Sequence, residues 1–288
     1  MSRYVIYCDS ACDIIPQVLE QWDVRFENLS YQFGGENKIY TDNEMAAGDF
    51  YDRMRAGGVA KTAAVNAESF RVRFEKELKE GNDILYLGFS SGLSSTFNAG
   101  RLAMDQLRED YPDRKMIAVD TLCASAGFGL LVYLVAEKKK QGANIEEAAQ
   151  YAEDTKMKIC QWFTVSDLVY LKRGGRISSA AAIVGGALGI KPVLHVDDAG
   201  TLQSVCKVRG RKASLEEIAR QYAATAENPG AGTVFLSHGD CLDDAMMLEE
   251  MLYKNHGVRF HHVTNVGAVI GSHSGPGTIA LFFIGKKR

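Results

Sequence analysis

A loop with five hydroxyl groups in seven residues is the strongest candidate for chemistry in this sequence. The loop is Ser90-Ser91-Gly92-Leu93-Ser94-Ser95-Thr96, and it follows an apolar strand predicted for residues 83–89. A helix is predicted to begin at Thr96, and a helix start offers free N–H groups and the positive end of a dipole. Ser and Thr are also preferred helix caps, but one cap needs only one hydroxyl. The loop therefore indicates a binding site for an anionic group such as a carboxylate.

A histidine flanked by small residues is the second candidate, in the segment Gly271-Ser272-His273-Ser274-Gly275-Pro276-Gly277. The glycines and the proline predict a loop with a constrained backbone path. A histidine on such a loop can donate a hydrogen bond to a carboxylate or exchange a proton, whereas a solvated surface loop is the alternative. Thr62, in a predicted turn before a helix, carries no functional signal by itself.

Two segments combine basic residues with glycine. In residues 171–178, Arg173 and Arg176 bracket a pair of glycines ahead of a helix predicted for Ala180–Ile190. That helix contains three glycines, each of which costs roughly 1 kcal/mol relative to alanine. Room for an apolar ligand and close helix packing explain them equally well. The second segment, residues 207–212, has four basic residues in six and is either a solvated loop or a docking surface for an acidic partner.

The segment Asp9-Ser10-Ala11-Cys12-Asp13 ends the first predicted strand. Its carboxylates could bind a metal or hold a loop, and the structural role is favoured because Asp and Ser commonly form turns and caps. None of the six cysteines forms a Cys-x-x-Cys pair. The sequence therefore predicts neither a disulfide framework nor a metal site, and no cofactor.

The order of the predicted elements indicates an α/β protein of two domains. Strands alternate with helices in the first half, which is typical of a parallel, doubly wound sheet. Short strands mixed with helices follow and indicate a mixed α+β domain. We place an N-terminal α/β domain at residues 1–159 and a C-terminal α+β domain at residues 160–288.

Composition limits the classes of partner. The 288 residues carry a net charge of −3, which argues against a nucleic-acid partner and a DNA-binding regulator because such proteins usually show a strong basic bias. The N-terminal apolar run is too short for a signal peptide, and the apolar stretch at residues 124–136 contains glycines and is too short to span a bilayer. We therefore expect a cytoplasmic protein without stable membrane insertion.

Taken in order, these motifs resemble the DegV family of bacterial fatty-acid-binding proteins over essentially the whole chain. The family patterns are an Asp-Ser-x-x-Asp opening, a Lys-Thr pair, a Ser-Ser-x-Leu-Ser-x-Thr loop, a Gly-Gly-Arg segment, an Ile-Lys-Pro strand and a His-x-Gly-Pro-Gly loop. The matching positions are residues 9–13, 61–62, 90–96, 171–177, 189–194 with Gly200, and 273–277. One departure is Thr62-Ala63-Ala64-Val65, where the family usually has Thr-Ser-Gln-Pro.

The resemblance implies a lipid carrier without enzymatic activity. On this basis one long-chain fatty acid, such as palmitate, stearate or oleate, is buried in the C-terminal domain with its carboxylate at the domain junction. A separate fatty acid kinase can phosphorylate the bound acid in this family, and the chain is expected to be a monomer. The implied residues are Thr62, Ser94 and His273 for the carboxylate, Arg176 and Ser95 beside them, and Arg209 for kinase docking.

An enzyme is the alternative function. Ser94 and His273 could form a nucleophile–base pair for acyl or phosphoryl transfer. The sequence contains no Gly-x-Ser-x-Gly nucleophile elbow, and no aspartate is evident as a third member of a triad. Binding is therefore the preferred hypothesis.

Overall fold

The computed structural model describes residues 3–178 and 189–288. Its strands are β1 Tyr4–Asp9, β2 Val24–Glu27, β3 Ser30–Phe33, β4 Tyr40–Thr41, β5 Ala60–Ala63, β6 Asp83–Gly88, β7 Met116–Asp120, β8 Ile159–Thr164, β9 Ile190–Val196, β10 Leu202–Arg209, β11 Val234–His238, β12 His262–Asn265 and β13 Ile279–Ile284. The helices are α1 Pro16–Gln21, α2 Ala47–Arg55, α3 Ala67–Lys79, α4 Thr96–Leu107, α5 Ser125–Lys140, α6 Ile145–Lys156, α7 Val169–Arg173, α8 Arg211–Thr225, α9 Leu242–His256 and α10 Ala268–Ser274.

The first half of the chain forms a four-stranded parallel sheet in the order β2-β1-β6-β7. Every residue of β1 and β6 is buried, as expected for parallel strands covered on both faces. The second half forms a six-stranded sheet in the order β10-β9-β8-β13-β11-β12. Its strand pairs are antiparallel except for β11 with β12. This arrangement confirms the predicted fold class, a parallel α/β part followed by a mixed part.

Helix α5 packs against strands of the six-stranded sheet and against α6, which contacts the parallel sheet. Its residues from Ser125 to Val132 are all buried, as expected for a helix enclosed between two layers. Helices α8 and α9 cover strands of the six-stranded sheet, and α3 and α4 pack together beside β6. The second sheet begins with β8, whose first residue is Ile159; the domain boundary at residue 160 stays a prediction.

A small antiparallel sheet, in the order β4-β3-β5, lies outside the two main sheets. Thr62 belongs to β5 and pairs with Tyr31 of β3, so the predicted turn at this position was wrong. Most residues of Ala60–Ala63 have a low strand propensity. Pairing with β3 therefore determines that this segment is a strand.

Two other predicted elements need correction. His273 lies in the last turn of α10 rather than in a loop; the helix is ended by Gly275, whose φ of 81° favours glycine. The glycine-containing helix predicted for Ala180–Ile190 falls mainly outside the described residues, and its last residue, Ile190, begins β9.

Candidate functional site

A cavity of about 310 Å³ lies between the six-stranded sheet, α10 and the Ser90–Thr96 loop. Small-molecule pockets commonly have volumes of about 300–1,000 Å³ and are mainly apolar with a few convergent polar groups. Most of the lining follows this pattern, with apolar side chains from Leu29, Phe89, Leu93, Phe163, Leu171, Val196, Leu202, Val266, Val269, Ile270, Ala280 and Phe282. The polar lining residues include Thr62, Ser94, Ser95, Arg176 and His273. The five residues predicted for the ligand thus line one cavity, and their roles in binding stay a prediction.

Thr62 and His273 form a polar pair in the cavity lining. The Thr62 Oγ1 and His273 Nε2 atoms are 2.8 Å apart, although 211 positions separate the residues. Strand β5 carries Thr62 and α10 carries His273, and these two elements are in contact. The fold therefore assembles a hydroxyl and an imidazole, both suited to hydrogen bonding with an anion, at the wall of the cavity.

The imidazole of His273 is electrically neutral at physiological pH. Burial, together with the smaller effect of the positive charge of Arg176, lowers its pKa from the usual 6.5 to about 4. Nδ1 of His273 is buried and has no hydrogen-bond partner among the described residues. His273 is therefore suited to donate or accept a single neutral hydrogen bond through Nε2.

Ser94 is partly buried and shapes the start of α4. Its Oγ accepts a hydrogen bond from the Thr96 N–H at 3.2 Å and lies 2.9 Å from Thr96 Oγ1. Ser95 is exposed, and no side-chain capping bond is seen for it in the described part of the chain. Ser94 therefore stabilises the start of α4 and also lines the cavity. Ser95 lies on the solvent-exposed side of the cavity.

Arg176 connects the α7 segment to the hydroxyl-rich loop. Its Nε donates to the Leu93 carbonyl at 3.3 Å, and a terminal guanidinium nitrogen donates to the Gly174 carbonyl. Burial lowers the pKa of this partly buried guanidinium. Its positive charge would favour a carboxylate beside His273.

The turn between β9 and β10 holds the same loop from the other side. Ser90 Oγ donates to the Gly200 carbonyl at 2.7 Å and accepts from the Gly92 N–H at 3.2 Å. A Cβ on Gly92 would lie 2.7 Å from the Ala199 carbonyl oxygen, so glycine is required for the close approach. The loop is consequently anchored by Ser90 and Gly92, which leaves Ser94 to face the cavity.

The Asp9–Asp13 segment has the structural role that was favoured. Asp13 accepts hydrogen bonds from the Gly267 N–H at 3.0 Å and from the Ser125 hydroxyl. Asp9 accepts from the Phe89 N–H at 3.1 Å. Burial raises the pKa of the Asp13 carboxyl well above its usual range, and the Asp42 carboxylate raises it further. Asp9 and Asp13 thus connect the end of β1 to the segments that follow β6 and precede α10, next to the cavity.

Arg209 occupies a different surface. It is exposed at the end of β10, where it pairs with Ile190 of β9, and it lies outside the lining of the cavity as far as the structure describes the chain. A docking role for Arg209 stays a prediction.

Sequence reasoning missed four polar residues of the lining: Ser125, Gln161, Ser274 and Thr278. Ser125 is marked by a φ of 51°, a value that only the structure reveals. Gln161 accepts a hydrogen bond from the Ala124 N–H at 2.8 Å, and its position inside an apolar strand was the available signal. Buried polar residues in such strands usually have specific partners.

All six cysteines are free thiols. Within residues 3–178 and 189–288, no group of three or more His, Cys, Asp or Glu residues could hold a metal ion. Across the same residues, the helices are too short or too polar to span a bilayer.

Comparison with known proteins gives matches along the whole chain. The family model of DegV, described as an uncharacterised protein family, matches residues 3–286. A DegV domain-containing protein of Clostridium perfringens is 42% identical over 291 residues, which cover 100% of this chain and 99% of the relative.

Solved structures of relatives have the same fold. A fatty-acid-binding DegV family protein from Thermus thermophilus has a TM-score of 0.87 at 29% identity, covering 98% of this chain and 99% of its own. A stearic acid-binding protein from Eubacterium ventriosum has a TM-score of 0.88 at 26% identity, covering 98% of each chain. The family predicted from the motifs is confirmed: the chain belongs to the DegV family.

Proposed function

We propose that this protein is a cytoplasmic carrier that binds a single long-chain fatty acid, with its carboxylate beside Thr62, Ser94 and His273 and its acyl chain in the cavity. The contact between Thr62 and His273 at the wall of a mainly apolar cavity is the observation that carries the proposal. The fatty acids bound by the relatives from Thermus thermophilus and Eubacterium ventriosum support the ligand class.

The polar groups match the needs of a carboxylate. Burying a carboxylate is costly unless several donors satisfy it. The hydroxyls of Thr62 and Ser94 can donate neutral hydrogen bonds to the carboxylate, the imidazole of His273 contacts Thr62 beside them, and Arg176 supplies positive charge. Ser95, which is exposed at the edge of the cavity, completes the proposed set.

The apolar lining supplies most of the affinity for the acyl chain. At about 0.8 kcal/mol for each buried methylene, roughly 14–16 methylenes contribute on the order of 11–13 kcal/mol before costs. Association and the ordering of a flexible chain remove much of this sum. We therefore expect the tail to set the affinity and the head-group residues to select an acid over an uncharged lipid.

Ligand binding is tested by native mass spectrometry of the purified protein before and after organic extraction, followed by titration with palmitate, stearate and oleate. One acyl ligand per chain is expected, and a mass without an exchangeable ligand would refute the proposal. Ser94→Ala and Thr62→Val should weaken palmitate binding more than hexadecan-1-ol binding. Ser91→Ala is the matched control, because Ser91 is exposed in the same loop and outside the cavity lining described here.

The finer proposal is that the monomeric carrier presents the bound carboxylate to a fatty acid kinase through Arg209. The exposed position of Arg209 at the end of β10 supports a docking role. Arg209→Ala should slow phosphorylation of the bound acid by the kinase and leave palmitate affinity unchanged. Lys212→Ala, an exposed change three residues away, is the control. Equal rates for Arg209→Ala and the parent would refute this docking role, and light scattering tests the monomer.

The enzymatic alternative requires a hydrogen bond between Ser94 and His273. In the described part of the chain, Ser94 Oγ contacts Thr96 and His273 Nε2 contacts Thr62. Neither contact activates the serine as a nucleophile, because activation needs a base within hydrogen-bond reach of the hydroxyl. Turnover of nitrophenyl esters that disappears in Ser94→Ala would favour the enzyme instead.

A further inference from the structure

Gly174, the residue that ends α7, lies directly against the imidazole of His273. A Cβ atom built on Gly174 would be 2.0 Å from His273 Nδ1 and about 3 Å from the neighbouring ring atoms Cε1 and Cγ. The φ of Gly174 is −73°, which any residue adopts, so its backbone conformation does not require glycine. Glycine is needed at this position because of the space that the imidazole occupies.

The contact closes one side of the ring. Nδ1 of His273 is buried without a hydrogen-bond partner among the described residues, while Nε2 is 2.8 Å from Thr62 Oγ1. A buried N–H without an acceptor costs more than a bare ring nitrogen that lacks a donor, because the N–H forfeits a strong hydrogen bond to water. The favoured tautomer therefore carries its proton on Nε2.

We propose that Gly174 is a positioning residue for the carboxylate site, because its bare Cα closes over Nδ1 and fixes His273 as the Nε2–H tautomer that donates to Thr62. This inference rests on the proposed function. Thr62 Oγ1 accepts the hydrogen bond from His273, so the Thr62 hydroxyl proton remains to be donated to the ligand carboxylate. A protonated imidazole would need an acceptor at both nitrogens, and burial at Nδ1 disfavours it, in agreement with the pKa of about 4 for His273.

The arrangement also accounts for glycine in the segment that carries Arg176. The Gly174 carbonyl accepts a hydrogen bond from Arg176. Gly174 therefore contacts both the charged Arg176 and the neutral His273. A side chain at position 174 would push the imidazole away from Thr62. Gly174 thereby sets the distance between α7 and the C-terminal end of α10.

The first test is the ¹⁵N NMR spectrum of the His273 ring in the ligand-free protein. We expect Nδ1 to be unprotonated and Nε2 to carry the proton, and His273→Ala assigns the signals. A proton on Nδ1, or rapid exchange between the two tautomers, would overturn the proposal. Because this measurement needs neither a ligand nor a variant at position 174, it distinguishes a failure of this inference from a failure of fatty-acid binding.

The second test compares Gly174→Ala with Gly48→Ala. Gly48 lies in α2, and a Cβ there has no described heavy atom within 4 Å, so it controls for the substitution itself. Gly174→Ala should lower palmitate affinity roughly 10- to 100-fold, the value of a hydrogen bond to a charged group, and change hexadecan-1-ol affinity less than about 3-fold. Gly48→Ala should leave both unchanged. Equal losses for acid and alcohol would contradict the proposal.

The double variant Gly174→Ala/His273→Ala gives a second criterion. Removing the imidazole removes the group that the new methyl would strike, so Gly174→Ala should cost little further palmitate affinity in the His273→Ala background. Additive losses would show that Gly174 acts on binding independently of His273 and would overturn the inference. If His273→Ala itself leaves palmitate binding intact, the carboxylate site of the proposed function fails instead.

Discussion

The Asp13 carboxylate accepts a hydrogen bond from the Gly267 N–H at 3.0 Å, across 254 positions of the chain. Gly267 precedes α10, so this bond ties the loop after the first strand to the helix that carries His273. The other oxygen of Asp13 accepts from Ser125, whose hydroxyl lies 2.8 Å from that of Ser237. One buried carboxylate therefore links the parallel sheet, α5, β11 and α10.

Asp13→Ala should lower the free energy of unfolding by about 3–7 kcal/mol. Two buried donors lose their acceptor, each at a cost of about 1–3 kcal/mol. The φ of 53° at this position adds about 1 kcal/mol for alanine. Asp13→Asn keeps a carbonyl acceptor and tolerates this φ, so it should lose less than half as much. Urea unfolding measures both, with the exposed Asp49→Ala as control. A loss below 1 kcal/mol for Asp13→Ala would contradict the linking role.

The buried carboxyl of Asp42 should make the protein less stable as pH rises from about 4 to about 6. Its oxygen accepts from the Val269 N–H at 2.8 Å, and burial raises its pKa from 3.8 to about 6. Between these two values the folded protein keeps a proton that the unfolded chain has released. Stability that is present below pH 4 is consequently lost as pH rises through this window, by about 3 kcal/mol for this group.

The contribution of Asp42 is isolated by comparing urea unfolding of the parent and Asp42→Asn at several pH values. Burial also raises the pKa of Asp9 to about 7. The free energy of unfolding should therefore decline with rising pH in both proteins, but less steeply in Asp42→Asn than in the parent. Asp49→Asn, at an exposed carboxylate in the first turn of α2, should follow the parent curve. Identical slopes for the parent and Asp42→Asn would show that this carboxyl titrates alike in both states.

The candidate site residues could be predicted from sequence more readily than the contacts between them. Ser94 could be found from sequence because a cluster of hydroxyls before a helix is unusual, and the parallel sheet could be found from alternating strands and helices. The partnership of Thr62 and His273 could not, since it depends on how β5 and α10 meet across 211 positions. Thr62 itself lies in a strand whose formation depends on pairing with β3, a tertiary effect that local propensity does not contain.

The residues behind the site were harder to predict. Asp42 follows a two-residue strand and has the sequence signature of an ordinary turn, yet it is buried and holds Val269 of α10. Helix α6 has a readable signal, a capping box between Asn144 and Glu147, which the apolar periodicity alone did not reveal. Local rules thus identify caps and turns, while burial of a carboxylate depends on the complete fold.

His273 should stay almost entirely neutral between pH 5 and pH 8 in NMR titration of the folded protein, with its midpoint below this window, because burial and the charge of Arg176 lower its pKa to about 4. Arg176→Met removes the charge and keeps much of the apolar stem, so the titration midpoint should move upward toward 6.5. The urea-unfolded protein is the control for the ordinary value. Since the folded pKa is below the unfolded one, His273 makes the fold less stable as pH falls from 6.5 to 4. A folded-state midpoint near 6.5 would contradict this environment.

Enlarging a side chain in the cavity should shorten the acyl chain that the protein accepts. Ala280 of β13 is 6% exposed and lines the cavity between neighbours on β8 and β11. Ala280→Leu adds three carbon atoms to this space. If they displace about three methylenes of a long ligand, palmitate affinity falls on the order of 50-fold, at about 0.8 kcal/mol for each methylene.

A decanoate ligand should be affected less than about 5-fold by Ala280→Leu, because its shorter chain leaves part of the cavity empty. The fold should keep most of its stability, since the leucine enters existing space instead of overpacking the core. Ala46→Leu adds the same atoms at the exposed N-cap of α2 and should leave both affinities unchanged. Calorimetric titration of palmitate and decanoate against both variants measures the loss of affinity for each acid. Equal losses for palmitate and decanoate would place the acyl chain away from Ala280 and so outside this part of the cavity.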